Sequence, residues 1–111
     1  EMVPGSDLTL NITLDDIPIL SEAMEMYERG ESTGVNKTNR SMVEKFWKFP
    51  GGSTSILQEL MLDPQTSGGL LVAVPEDETA PILKDLHNVG VFRSACIGYV
   101  SNFNEAKLIF T

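Results

Sequence analysis

From Leu8 to Leu14 apolar and polar residues alternate: Leu8, Leu10, Ile12 and Leu14 are separated by Thr9, Asn11 and Thr13. A period of two puts the four apolar side chains on one side of an extended chain, so the segment is predicted to be a strand with one buried face. The period then becomes helical, with Ile17, Leu20, Met24 and Tyr27 on one stripe. Asp15 and Asp16 offer an N-cap, Pro18 suits a first turn and Gly30 a stop. Glu31 to Arg40 is polar and poor in helix formers, with Gly34 and Asn36 suited to turns, and is predicted to be a surface loop. Met42, Val43, Phe46 and Trp47 have the spacing of a short helix or an irregular hydrophobic clamp, which Pro50-Gly51-Gly52 ends.

Ser53 or Ser55 can cap a second helix whose stripe is Ile56, Leu57, Leu60 and Met61. That helix must stop before Pro64, whose ring disfavours helical geometry at Asp63. Leu70 to Val74 is an unbroken apolar run, the pattern of a central strand covered on both faces. After Pro75, the acidic Glu76, Asp77 and Glu78 open a third helix with Ile82, Leu83, Leu86 and Val89 on its apolar face, Gly90 beyond it and Pro81 expected in its first turn. Two strands, Ala95 to Val100 and Ala106 to Phe110, flank a Ser101-Asn102-Phe103-Asn104 turn that reads as a hairpin. The order strand-helix-helix-strand-helix-strand-strand predicts an α/β (α+β) sandwich, a mixed β-sheet with helices packed on it.

The 111 residues suffice for a single domain, 1–111, that buries about 65% of the surface of its unfolded chain. Sixteen acidic residues against eight basic ones give a formal charge of −8. That field repels phosphate backbones and anionic lipid, so neither nucleic acid nor a membrane is an expected partner. It also leaves this chain ill suited to hold a triphosphate without Lys, Arg or Mg²⁺ supplied from elsewhere. No apolar run approaches the roughly 20 residues of a membrane span. One cysteine, Cys96, excludes an internal disulfide, and with no leader at the start the expected location is cytoplasmic.

The most unusual local sequence is Asp63-Pro64-Gln65-Thr66-Ser67-Gly68-Gly69, which packs a carboxylate, an amide, two hydroxyls and two glycines between a helix and an apolar run. Such a turn can present hydroxyls and backbone N–H groups to an anion. It can equally be a helix stop whose polar groups satisfy the local backbone. Extended through Leu70 and Leu71, the tract closely resembles the signature of the selenophosphate synthetases (selenide, water dikinases), of the aminoimidazole ribonucleotide synthetase-like superfamily. The Glu1-Met2 start, the segment from Gly34 to Asn39 and Ile97-Gly98-Tyr99-Val100 carry the resemblance through most of the chain. Gly34 and Asn39 keep the family's loop pattern; Val35 and Asn36 depart from it.

The resemblance implies the C-terminal domain of a longer enzyme that converts ATP, selenide and water to selenophosphate, AMP and phosphate, with Mg²⁺ holding the nucleotide. The family's nucleophile, its catalytic Lys and its Mg²⁺-binding Asp residues belong to an N-terminal ATP-binding domain. No catalytic or metal-binding residue, no tightly bound cofactor and no activity are therefore expected of this chain alone. Its implied partners are its own N-terminal domain and, in the full-length protein, a second copy forming a homodimer. The implied substrate-cleft residues are Asp63, Gln65, Thr66, Ser67, Gly68 and Gly69, with Gly34 and Asn39. Two other readings compete: an aminoimidazole ribonucleotide synthetase or hydrogenase-maturation relative, against which the uninterrupted Gln65 to Gly69 tract argues, and a small acidic module that binds a protein and catalyses nothing.

Elsewhere the plainer readings prevail. Cys96 lies in an apolar strand pattern and is expected in the core. His87 is expected as an exposed helix residue rather than a metal ligand. The glycosylation-like triplets at Asn11, Asn36 and Asn39 are attributed to chance. Lys37, Arg40, Lys45 and Lys48 read as a solvated face. Most of Met24, Met26, Met42 and Met61 are expected to pack inside, whereas Trp47, with Phe46 and Phe49, is expected to be exposed as a contact patch.

Overall fold

The computed structural model describes residues 7–51 and 55–111, so the candidate cap Ser53 and the Glu1-Met2 start lie outside the described residues. Strand β1, Leu8–Ile12, is the centre of the fold. It is flanked on one side by β3, Gly98–Asn102, running antiparallel, and on the other by β4, Leu108–Phe110, running parallel. The short β2, Trp47–Lys48, pairs in parallel with the outer side of β4. The sheet is therefore mixed, in the order β2-β4-β1-β3. Among the described residues four helices accompany it: α1 (Ser21–Glu28), α2 (Asn36–Val43), α3 (Ile56–Met61) and α4 (Glu76–Asn88). The predicted α/β sandwich class stands.

The expected β3–β4 hairpin does not form, because β1 lies between the two strands. Thr9 explains the detour. Its side chain is 0% exposed; its hydroxyl donates to the Ala106 carbonyl at 2.7 Å and accepts from the Asn104 amide at 2.9 Å, tying the connection across β1. Two backbone groups of the connecting segment thus find a partner on β1 rather than on each other. Alternation along β1 holds only toward its end: Ile12 is buried, Leu8 is exposed, and Leu14 lies in a 3-10 turn, Leu14–Asp16, beyond the strand. Asp15 and Asp16 belong to that turn, so they do not cap α1, which starts at Ser21.

Ile12, Leu14 and Phe110 form the core cluster, with Ile17, Trp47, Phe49, Leu57, Met61, Ile97 and Leu108 packed on it. Here the expected contact patch is corrected. Trp47 is half-buried, and its ring lies 5.7 Å from that of Phe49 and 6.0 Å from that of Phe110, while Arg40 stacks over it at 5.7 Å. Strand β2, not a short helix, positions the indole there. Cys96 is exposed, and its neighbour Ile97 packs on the core instead; both precede β3, so the expected strand does not reach Cys96.

Further differences concern helices and the central apolar run. Ser55 caps α3 as expected, its hydroxyl accepting from the Gln58 amide. The predicted loop to Arg40 is helical from Asn36 onward. Pro81 is the sixth residue of α4 rather than a first-turn residue, and α4 buries none of its side chains. Leu70 to Val74 is in no strand; Leu70 to Ala73 are exposed, Leu70 94% and Val72 66%, and Val74 is half-buried. The local apolar pattern was strand-like, but a ladder needs a partner edge, and none is engaged with it here.

Candidate functional site

The Asp63 to Gly69 turn is anchored at its first residue by a polar network that reaches back to α1 and α2. The last turn of α1 brings Tyr27 inward, and its hydroxyl donates to one Asp63 oxygen at 2.7 Å. The other Asp63 oxygen accepts from the Gln65 side-chain amide at 2.8 Å. Asn36, 3% exposed at the start of α2, donates to the Tyr27 hydroxyl at 3.1 Å, to the Glu59 carbonyl at 3.0 Å and to the Glu59 carboxylate at 3.1 Å. It accepts from the Thr33 hydroxyl at 2.6 Å. Arg40, one turn further along α2, closes the circuit on α3 through Glu59 at 2.6 Å and Gln58 at 3.1 Å.

These bonds explain the helical fold of a segment with poor helix propensity. Asn is unfavourable inside helices because its side chain competes for backbone groups. Here that side chain is occupied by partners on α1 and α3, so the competition is removed. Among the described residues no buried side-chain nitrogen or oxygen lacks a partner. A fully satisfied network of this kind rigidifies what it holds.

The charges in the network shift accordingly. Burial, followed by the hydrogen bond to Asp63, pushes the Tyr27 phenol above its ordinary 10.0. The hydrogen bond from Asn36, and then that from Arg40, holds Glu59 below its ordinary 4.5 against the opposing effect of burial. A lowered folded pKa means that the Glu59 contribution to stability is complete above 4.5 and is lost as pH falls through the folded value. Denaturation midpoints followed below pH 4.5 should therefore fall less steeply in Glu59→Gln than in the wild type. Equal slopes would remove Glu59 from the acid response.

Of the sequence-derived residues, Asp63, Gln65 and Asn39 come together. Asn39 donates to the Leu62 carbonyl at 2.7 Å, next to Asp63. Asn39 and Asp63 also line a cleft of about 250 Å³ whose walls include Met42, Trp47, Met61 and Phe110. Gly34 lies in the exposed turn just before α2, two residues from Asn36. Thr66, Ser67, Gly68 and Gly69 are all exposed. A Cβ on Gly68 would meet the Gln65 side-chain oxygen at 3.0 Å, whereas one on Gly69 would meet nothing within 4 Å.

The turn accordingly has two halves. Asp63 and Gln65 form a fixed base, and Thr66 to Gly69 form a solvent-facing tip rich in hydroxyls and backbone N–H groups. With both its oxygens engaged, Asp63 is a structural carboxylate, and the described residues contain no cluster of three or more His, Cys, Asp or Glu side chains able to hold a metal ion. They do not fit a Mg²⁺ centre. Tyr27, Asn36, Glu59 and Arg40 were not foreseen as site residues. The available signal was Tyr27: a tyrosine on the apolar stripe of a helix brings a hydroxyl that needs a buried partner.

The model of the AIR synthase related protein, C-terminal domain, matches residues 1–110. Among curated proteins, selenide, water dikinase 2 of Peptoclostridium acidaminophilum is 34% identical over 98% of this chain and 31% of its own length. Selenide, water dikinase of Myxococcus xanthus is 35% identical over 90% of this chain and 28% of its own. That of Porphyromonas gingivalis is 33% identical over 100% of this chain and 32% of its own. The chain thus spans about 30% of the length of these relatives. With a family model matched from residue 1 to residue 110, the chain belongs to the AIR synthase related protein C-terminal domain family.

Proposed function

We propose that the chain is the C-terminal domain of a selenophosphate synthetase and that its Asp63–Gly69 turn forms part of the wall of the active-site cleft. The observation that carries this reading is similarity to selenide, water dikinases over 90% or more of the chain. The full-length enzyme would use ATP, with Mg²⁺, to transfer phosphate to selenide in the cytoplasm, as a homodimer. Phosphoryl transfer depends on positioning and on neutralising charge. This acidic chain supplies the first and not the second, so the metal ligands and most cations would come from the N-terminal domain. Thr66, Ser67 and the amide of Gly69, held out from the Asp63 base, would face substrate, the Gly68 amide donating within the turn to the Gln65 carbonyl at 3.4 Å.

Selenide-dependent ATP turnover tests the proposal. The full-length enzyme should turn over ATP and the 111-residue chain alone should not. In the full-length enzyme, Thr66→Ala with Ser67→Ala should lower turnover about tenfold or more while leaving the circular dichroism spectrum unchanged, as for loss of donors aimed at a reacting anion. Unchanged kinetics would reduce the tip to a structural turn. Turnover by the isolated chain at saturating Mg²⁺ would overturn the division of labour.

A further inference from the structure

The cleft beside Asp63 is built by four elements: Asn39 and Met42 come from α2, Met61 is the last residue of α3, Trp47 is on β2 and Phe110 on β4. At about 250 Å³ it falls just below the range of about 300–1,000 Å³ typical of small-molecule sites, so it suits one ring and a short substituent. The rings of Trp47 and Phe110 are 6.0 Å apart and inclined at 83°, which makes them two sides of a corner. A flat guest can stack on one ring and meet the other edge-on, the two arrangements that aromatic rings prefer. Met42 and Met61 complete the walls with unbranched side chains that adapt to a planar face. Met42 is 64% exposed and stands at the rim.

The polar side of the cleft is rich in acceptors. Asn39 donates one side-chain N–H to the Leu62 carbonyl at 2.7 Å, and its own oxygen is an acceptor. Each Asp63 oxygen takes one hydrogen bond, from Tyr27 or from Gln65, and a carboxylate oxygen can take a second. Among the described residues that line the cleft there is no Lys or Arg. Arg40, which stacks over Trp47 at 5.7 Å, is already paired with Glu59 at 2.6 Å. The whole chain carries a formal charge of −8. A carboxylate or phosphate would meet uncompensated negative charge here, and a guest without N–H groups would leave the acceptors unmatched.

We propose that this cleft binds a small planar aromatic cation that carries N–H donors, of the aryl amidine or protonated amino-heteroaromatic type. The ring lies against Trp47 and Phe110 between the two methionines, and the charged N–H groups point to Asp63 and Asn39. Charge and ring act together: the cation makes charge-assisted hydrogen bonds to the carboxylate and is attracted to the indole face. The Asp63 base then divides two surfaces of opposite preference, the cleft for a cation and the Thr66 to Gly69 tip, with its hydroxyls, for an anion. The cleft site does not rest on the reading of the chain as part of a selenide-using enzyme.

Benzamidine is the probe, titrated into the 111-residue chain with no ATP or selenide present and followed by Trp47 fluorescence and NMR. A saturable fluorescence change is expected, with shifts at the Met42 and Met61 methyls and the Asn39 side-chain amide. Benzoate, of the same shape and opposite charge, and benzamide, of the same shape and no charge, should bind at least about tenfold more weakly. Methylguanidine, which keeps the charge and lacks the ring, should be weaker by a similar factor. Asp63→Asn keeps the size of the side chain and should bring benzamidine down to the level of benzamide. Met42→Lys puts a cation at the rim, at an exposed helix position where lysine is well tolerated, and should lower benzamidine affinity about tenfold; it decides alone if Asp63→Asn does not fold. Benzoate or methylguanidine binding as well as benzamidine, shifts confined to residues outside the cleft, or no saturation with benzamidine would each overturn the proposal.

Discussion

Replacing Gly98 by alanine is expected to lower the stability of the fold strongly. Gly98 pairs with Ile12 across β1 and β3, and a Cβ there would stand 1.9 Å from the Asn11 carbonyl oxygen and 2.9 Å from its carbon. Both are backbone atoms of the central strand, so no rotamer change can relieve the overlap. The cost is expected at about 3 kcal/mol or more, a large share of the total stability of a small domain. Urea denaturation followed by circular dichroism measures it. Gly69→Ala is the control: nothing lies within 4 Å of its added methyl, so the change should stay within about 0.5 kcal/mol. A Gly98→Ala protein as stable as the Gly69→Ala control would show that β1 and β3 do not approach as described.

Truncating Phe110 should have a comparable effect through a different cause. The ring is 7% exposed, lies 4.8 Å from that of Phe49 and packs with Ile12 and Leu14 at the point where β4, β1 and the aromatic cluster meet. Phe110→Ala removes the transfer energy of the ring and leaves a cavity, together about 3–5 kcal/mol. For a chain of this length that corresponds to a fall in Tm of roughly 15–25 °C in a thermal melt. Phe110→Leu should recover about half of the loss. A drop below about 1 kcal/mol for the alanine variant would mean that the core is centred elsewhere.

What could be read from the sequence was local. β1, the Ser55 cap of α3 and the acidic start of α4 each depend on residues within a few positions of one another, and each was foreseen. What failed depended on distant partners. α2 forms because Asn36 bonds across to Glu59, 23 residues on, and no window around Asn36 contains that information. The hairpin failed because the Thr9 hydroxyl captures backbone groups 95 and 97 residues away. The candidate site was legible in part for the same reason: Asp63 and Gln65 are neighbours in sequence, whereas Tyr27 reaches Asp63 across 36 residues. Trp47 was misplaced because aromatic spacing alone does not distinguish a surface patch from a layer over Phe110.

The position of Trp47 has a practical consequence. It is the only tryptophan in the chain, it touches the core aromatics on one side, and it lines the same cleft as Asn39 and Asp63 on the other. Its fluorescence is therefore a built-in optical gauge with two readings, one for whether the core is assembled and one for whether the cleft beside the turn is dry or filled.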